Sequence, residues 1–155
     1  MTEPTRLLIH GATGRMGQAL IRLAAERKDV RVVGAASRSR PGSLVPSVAW
    51  IPASALESAP DFDIAIDFSL PEAFDAALAL CVARGAGLVS GTTGLSDPQR
   101  ATMAEASHRL PLVWAANFSL GVAVLADLVE RAASKLAGWD CDIVESHHIH
   151  KKDAP

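Results

Sequence analysis

The chain has 155 residues and a mass of 16.2 kDa, with 15 Lys+Arg against 17 Asp+Glu. That balance, with a pI near 6.2, argues against a nucleic-acid or membrane-surface protein, which would carry a basic excess. Two cysteines, Cys81 and Cys141, are too few for a secreted disulfide scaffold. The polar start Met1 to Arg6, and the lack of any apolar run near ~18 residues, indicate neither signal peptide nor transmembrane helix. The expectation is a soluble cytoplasmic chain, and at ~100–200 residues one domain is usual.

Short β-rich runs alternate with longer Ala-rich stretches. Leu7 to His10 reads as a buried strand that stops at Gly11. From Arg15 to Glu26, Met16, Ala19, Leu20, Leu23 and Ala24 recur at helical spacing. Val30 to Ala36 is a second strand, and Ser37 to Ser47, with Arg38, Arg40, Pro41, Gly42 and Pro46, is a polar loop. A short strand at Ala49–Ile51 and a short helix at Ala53–Ser58 follow. Ile64 to Phe68 is a strand, Pro71 opens a helix that runs to Arg84, and Gly85 stops it. Leu88–Ser90 is a strand, and Asp97 is predicted as the N-cap of a helix to about Arg109, with Pro98 at its first position. Leu112–Ala115 is a strand, Leu120–Leu136 a long helix, and Asp142–Ser146 a last strand.

Such alternation means βαβ units, and hence an α/β fold with a doubly wound, mainly parallel sheet. Right-handed crossovers place its ligand site off the carboxyl ends of the strands. Gly11, Asp67-Phe68-Ser69, Gly91-Thr92-Thr93-Gly94 and Ala115-Ala116-Asn117-Phe118 all stand at such ends.

The first of these, His10-Gly11-Ala12-Thr13-Gly14-Arg15-Met16-Gly17, is G-x-x-G-x-x-G between a strand and an amphipathic helix. Glycines there let the backbone approach a pyrophosphate, and the free N–H groups of the helix start face the anion. The second strand ends in Ser37-Arg38-Ser39-Arg40, without the carboxylate that would accept hydrogen bonds from a ribose 2′-OH. A guanidinium can fork onto a 2′-phosphate, so NADPH is favoured, with NADH left open. A Gly-Ala-Thr-Gly start also suits short-chain dehydrogenases that work through a Tyr-x-x-x-Lys pair, but the chain contains no tyrosine.

Near the C-terminus, His147, His148 and His150 stand beside Lys151 and Lys152. Histidine gives protons near neutral pH, and lysine holds carboxylates or stabilises developing negative charge. A metal site is disfavoured, because the lysines would repel a divalent cation and no tetrahedral ligand set is complete. Trp114 and Trp139 read as packing groups, and Cys81 as a buried helix residue rather than a nucleophile.

His147-His148-x-His150-Lys151-x-Asp153-Ala154-Pro155 resembles the signature of the 4-hydroxy-tetrahydrodipicolinate reductase (dihydrodipicolinate reductase) family. Gly11-x-x-Gly14-Arg15-Met16-Gly17, Ile66-Asp67-Phe68-Ser69-x-Pro71, Gly91-Thr92-Thr93-Gly94 and Ala115-Ala116-Asn117-Phe118-Ser119-x-Gly121 look like the family's other blocks, in order. The resemblance implies a Rossmann-type domain over residues 1–137 and, over 138–155, only the start of an α+β catalytic and oligomerisation domain. It implies NAD(P)H-dependent reduction of a cyclic imine dicarboxylate on the diaminopimelate route to lysine. Gly11, Ala12, Thr13, Gly14, Arg15 and Met16 would face the pyrophosphate, and Ser37-Arg38 the adenosine ribose. Gly91, Thr92 and Thr93, with Ala115, Ala116, Asn117 and Phe118, would line the nicotinamide side. His147 would donate the proton, Lys151 would assist it, and His148 would bind a substrate carboxylate.

Family members typically continue past the Asp-Ala-Pro block with a sheet that builds a homotetramer, which this chain alone is not expected to form. Without partners, a strand from Asp142 is not expected to be stable, so residues beyond about Ala137 are expected to be disordered or paired across molecules. A nucleotide-holding module without turnover, or another imine or amino-acid reductase on the same domain, are the competing readings.

Overall fold

Alternation along the first strand, β1 (Thr5–His10), sets the architecture. Leu7 and Ile9 point to one face of the sheet and Leu8 to the other, and each joins a different apolar cluster. The structure is a computed structural model and describes residues 3–42, 47–144 and 146. The chain forms two compact units, Met1–Asn117 and Phe118–Pro155.

The first unit holds a six-stranded parallel sheet. Its further strands are β2 (Val30–Ser37), β3 (Ala49–Pro52), β4 (Ile64–Asp67), β5 (Gly87–Ser90) and β6 (Leu112–Trp114). The spatial order is β3-β2-β1-β4-β5-β6, so the winding direction reverses between β1 and β4. Three helices cover it: α1 (Arg15–Ala25), α2 (Pro71–Arg84) and α3 (Asp97–Ala106).

Leu7, Ile9, Ala12 and Ala35 pack with Leu20 and Ile21 of α1. On the opposite face Leu8, Ile51, Ala65 and Leu88 pack with Phe74, Leu78 and Cys81 of α2. Phe74 is fully buried, a burial that contributes ~1.5–3 kcal/mol. Arg6 clamps the open end of the β1–β4 pair: its backbone N–H and guanidinium both donate to the Asp63 carboxylate, at 2.7 Å each for the shortest bonds. Helix α2 begins with Pro71 and ends at Gly85, whose left-handed φ of 63° closes the terminus.

One local expectation is corrected. The N-cap of α3 is Ser96 rather than Asp97: its hydroxyl accepts from the Gln99 N–H, and the Gln99 side chain accepts from the Ser96 N–H. This reciprocal box satisfies two otherwise orphaned donors, leaving Asp97 in the first turn, where its charge suits the helix dipole. The short helix expected at Ala53–Ser58 is present as a 3-10 helix.

In the second unit, α4 (Leu120–Lys135) is capped by Ser119, whose hydroxyl accepts from the Val122 N–H. This helix precedes the domain boundary expected after residue 137. Asp142 to Val144 form no strand. The rest of that expected strand and the expectation for the last residues involve Glu145 and 147–155, outside the described residues. Trp139, expected to pack, is 75% exposed. Among the described residues, no helix is long and apolar enough to cross a membrane.

Candidate nucleotide site at the strand ends

Parallel pairing aligns the last residues of four strands in one row. His10 of β1 is in register with Asp67 of β4, Asp67 with Ser90 of β5, and Ser90 with Trp114 of β6. The row puts a polar network where strands run out and loops begin. Asp67 is fully buried. It accepts from Ser90 Oγ at 2.8 Å, Thr92 Oγ1 at 2.7 Å and the Ser69 N–H at 3.2 Å. Its Oδ1 also lies 2.9 Å from His10 Nδ1. Trp114 Nε1–H donates to the Thr92 carbonyl at 2.9 Å. Burial pushes the Asp67 carboxyl up, but the bonds from His10, Ser69 and Thr92 and the proximity of His10 outweigh it and hold the carboxyl below its ordinary range.

Above this row the glycine loop turns from β1 into α1. Gly11 has φ of 80°, and a Cβ there would lie 2.3 Å from the Phe68 carbonyl oxygen. Only glycine combines that left-handed turn with so close an approach. A Cβ on Gly17 would meet Gly11 O at 2.4 Å and Ala12 Cα at 2.7 Å. Its role is therefore to let α1 close on the loop itself.

The N-cap of α1 is Gly14, with no side chain to satisfy the first N–H groups and no acidic residue in the first turn. Orphaned helix-start donors, a positive dipole end and no carboxylate on that turn suit an anion. The loop borders a groove of about 250 Å3. Its walls are His10, Gly11, Thr13 and Gly14 on one side, Ser37, Arg38 and Ala53 on another, and Phe68 to Leu70 with Glu72 and Ala73 on the third. Ser37 is fixed by two bonds: its hydroxyl donates to the Ser39 carbonyl at 2.7 Å and accepts from Trp50 Nε1 at 3.3 Å.

Of the residues expected to hold the cofactor, Gly11, Thr13, Gly14, Ser37 and Arg38 share this groove. Ala12 is fully buried beneath the loop, its N–H donating to the Ala36 carbonyl. Arg15 and Met16 are exposed on the first turn of α1. Gly91, Thr92 and Thr93 stand at the end of β5 and Ala115, Ala116 and Asn117 at the end of β6, further along the same sheet edge. Phe118 begins the second unit and is exposed. His147, His148 and Lys151 lie outside the described residues. From sequence alone His10 and Asp67 are placed at strand ends but not paired with each other, and Glu72 is not placed at this site. The first two carried a readable signal, a polar residue ending an apolar strand.

Cys81 is buried, and desolvation together with the nearby Asp67 charge pushes its thiol up to about 12. A thiol held protonated is an inert packing group.

A parallel sheet in this order, with a glycine loop at the point where the winding reverses, defines a Rossmann-type nucleotide-binding domain. Residues 5–118 match the family model "Dihydrodipicolinate reductase, N-terminus", and residues 121–155 match "Dihydrodipicolinate reductase, C-terminus". The chain belongs to the dihydrodipicolinate reductase family.

It is 66% identical over 154 residues to the 4-hydroxy-tetrahydrodipicolinate reductase of Stenotrophomonas maltophilia strain K279a, covering 98% of this chain and 64% of that protein. It is 61% identical over 155 residues to the 4-hydroxy-tetrahydrodipicolinate reductase of Xanthomonas campestris pv. campestris strain B100, covering 99% and 65%. The chain thus spans a little under two thirds of the length of these relatives. The fold is similar to that of dipicolinate-bound dihydrodipicolinate reductase from Paenisporosarcina sp. TG-14, with a TM-score of 0.72 and 21% identity over 84% of this chain and 54% of that one.

Proposed function

We propose that this chain carries the nucleotide-binding part of an NAD(P)H-dependent reductase that converts 4-hydroxy-tetrahydrodipicolinate to tetrahydrodipicolinate. The observation that carries the reading is the family match along residues 5–118 and 121–155. The groove at the glycine loop supports it. Its orphaned N–H donors and the exposed Arg38 suit a ligand bearing a pyrophosphate and a 2′-phosphate, so NADPH is the preferred cofactor and NADH a second one.

Exchange of the 4-hydroxyl for hydrogen requires loss of water and addition of a hydride and a proton. The bound dinucleotide supplies the hydride, which goes to C4 of the unsaturated cyclic imine. His147 gives the proton to the adjacent carbon, Lys151 assists that transfer or polarises the substrate, and His148 pairs with a substrate carboxylate. Gly11 to Met16 and Ser37-Arg38 hold the adenosine diphosphate half. Gly91 to Thr93 and Ala115 to Phe118 orient the nicotinamide half. Residues 1–137 serve as the nucleotide domain and 138–155 begin the catalytic one. The full-length enzyme acts as a cytoplasmic homotetramer.

The test is steady-state oxidation of NADPH by this chain in the presence of the cyclic imine. Turnover that falls in His147→Gln and Lys151→Ala supports the assignment. Near-normal turnover in both variants overturns the roles, and NADPH binding without consumption makes the chain a nucleotide-holding module.

A further inference from the structure

His10 ends β1 one residue before the glycine loop. It is 3% exposed, yet it borders the groove. One ring nitrogen, Nδ1, lies 2.9 Å from Asp67 Oδ1. The Asp67 carboxylate also accepts hydrogen bonds from the Ser90 and Thr92 hydroxyls and the Ser69 N–H. An ionised carboxylate only accepts, so the proton between the two groups belongs to Nδ1, and in the neutral ring Nε2 is then the acceptor. Among the described residues Nε2 has no protein partner, and no buried side-chain nitrogen or oxygen is left unpaired. Nε2 therefore opens onto the groove.

We propose that His10 is a dinucleotide contact, its Nδ1–H anchored on Asp67 and its Nε2 accepting a hydrogen bond from a hydroxyl of the bound ligand. This rests on the reading of the groove as the dinucleotide site. A ribose hydroxyl is the donor this geometry selects, because the riboses flank the pyrophosphate that the adjoining loop is built to receive. Phosphate oxygens carry no proton to give and would meet a lone pair. The anchor does a second thing. It ties the orientation of a groove-lining ring to Ser90 at the end of β5 and Thr92 of the loop that follows, so both halves of the strand-end edge share one carboxylate. The pairing is a second-sphere device: the buried carboxylate chooses the tautomer, and the imidazole presents the chosen atom.

The test compares His10→Asn with His10→Ala. The Asn amide places a donor near the position of Nδ1 and can keep the bond to Asp67, but it has nothing at the position of Nε2. Thermal midpoints and NADPH dissociation constants are measured for both variants and the wild type. The expected result is a His10→Asn midpoint near that of the wild type with NADPH binding weakened roughly three- to tenfold, the loss of one hydrogen bond. In His10→Ala the midpoint falls and the NADPH dissociation constant rises.

Wild-type affinity in His10→Asn overturns the contact and leaves His10 a purely structural partner of Asp67. Where His10→Asn is itself unstable, the nitrogen-15 resonance of Nε2 in the wild type decides. An unprotonated Nε2 signal that moves on addition of NADPH supports the proposal, and a protonated or unresponsive one overturns it. A wild-type chain that binds no NADPH at all overturns the groove reading together with this proposal, an outcome distinct from normal binding with an indifferent His10.

Discussion

Thr92 Oγ1 donates to Asp67 Oδ2 at 2.7 Å, and the two side chains are 2% and 0% exposed. Thr92→Val keeps the shape and removes the donor, leaving the carboxylate under-satisfied. The expected cost is ~1–3 kcal/mol in a urea unfolding measurement. Thr93→Val, at the exposed neighbour, is expected to stay within about 0.5 kcal/mol of the wild type. Equal effects for the two would show that Asp67 does not depend on Thr92.

Acid should weaken the fold through carboxylates held below their ordinary range. Hydrogen bonds from the Arg6 side chain and backbone hold Asp63 down to about 2. A depressed carboxyl favours the folded state fully above its unfolded value of ~3.9, and that contribution is lost as pH falls through the folded value. Asp67 has the same sign, since its hydrogen bonds outweigh the opposing effect of burial. Asp63→Asn should therefore flatten the stability loss between about pH 4 and about pH 2. An unchanged acid limb in that variant would contradict the Arg6–Asp63 clamp.

The strands, the glycine loop and the order of elements were legible because their signals are local. Leu7 to His10 followed by Gly11, and Pro71 to Gly85, carry their own starts and stops. The network under the site was not legible in the same way. His10 and Asp67 are 57 positions apart, and only the β1–β4 register makes them neighbours. The shift of the α3 cap from Asp97 to Ser96 has a similar origin. Both residues are good caps, and the Gln99 side chain decides between them by bonding back to Ser96. Of the strand expected from Asp142, the described residues Asp142 to Val144 have the right residue types but are exposed and irregular.

The loop's geometry makes a graded prediction for glycine replacements. In Gly17→Ala the new methyl would press on the backbone of Gly11 and Ala12, at 2.4 and 2.7 Å. Backbone cannot swing aside as a side chain can, so a loss of ~1–3 kcal/mol is expected, with weaker NADPH binding. Gly42→Ala meets nothing within 4 Å and should leave both quantities unchanged. Thermal denaturation with and without NADPH reads both effects.

Trp50 holds the loop that carries Arg38, through its bond to Ser37 Oγ. Trp50→Phe removes that donor and keeps most of the ring. A weakening of NADPH binding by about two- to fivefold is expected, the share of one modest hydrogen bond, with the affinity for inorganic pyrophosphate unaltered. Equal losses for both ligands would place the effect at the glycine loop instead.

The most direct measurement is a calorimetric titration of the chain with NADPH and with NADH, repeated for Arg38→Asp. Wild-type chain should bind NADPH at one site and more tightly than NADH. Arg38→Asp should weaken NADPH by about tenfold or more, the value of a charge-assisted contact, and leave NADH little changed. No binding of either dinucleotide, or an NADPH affinity indifferent to Arg38→Asp, would contradict the groove as a dinucleotide site read by Arg38.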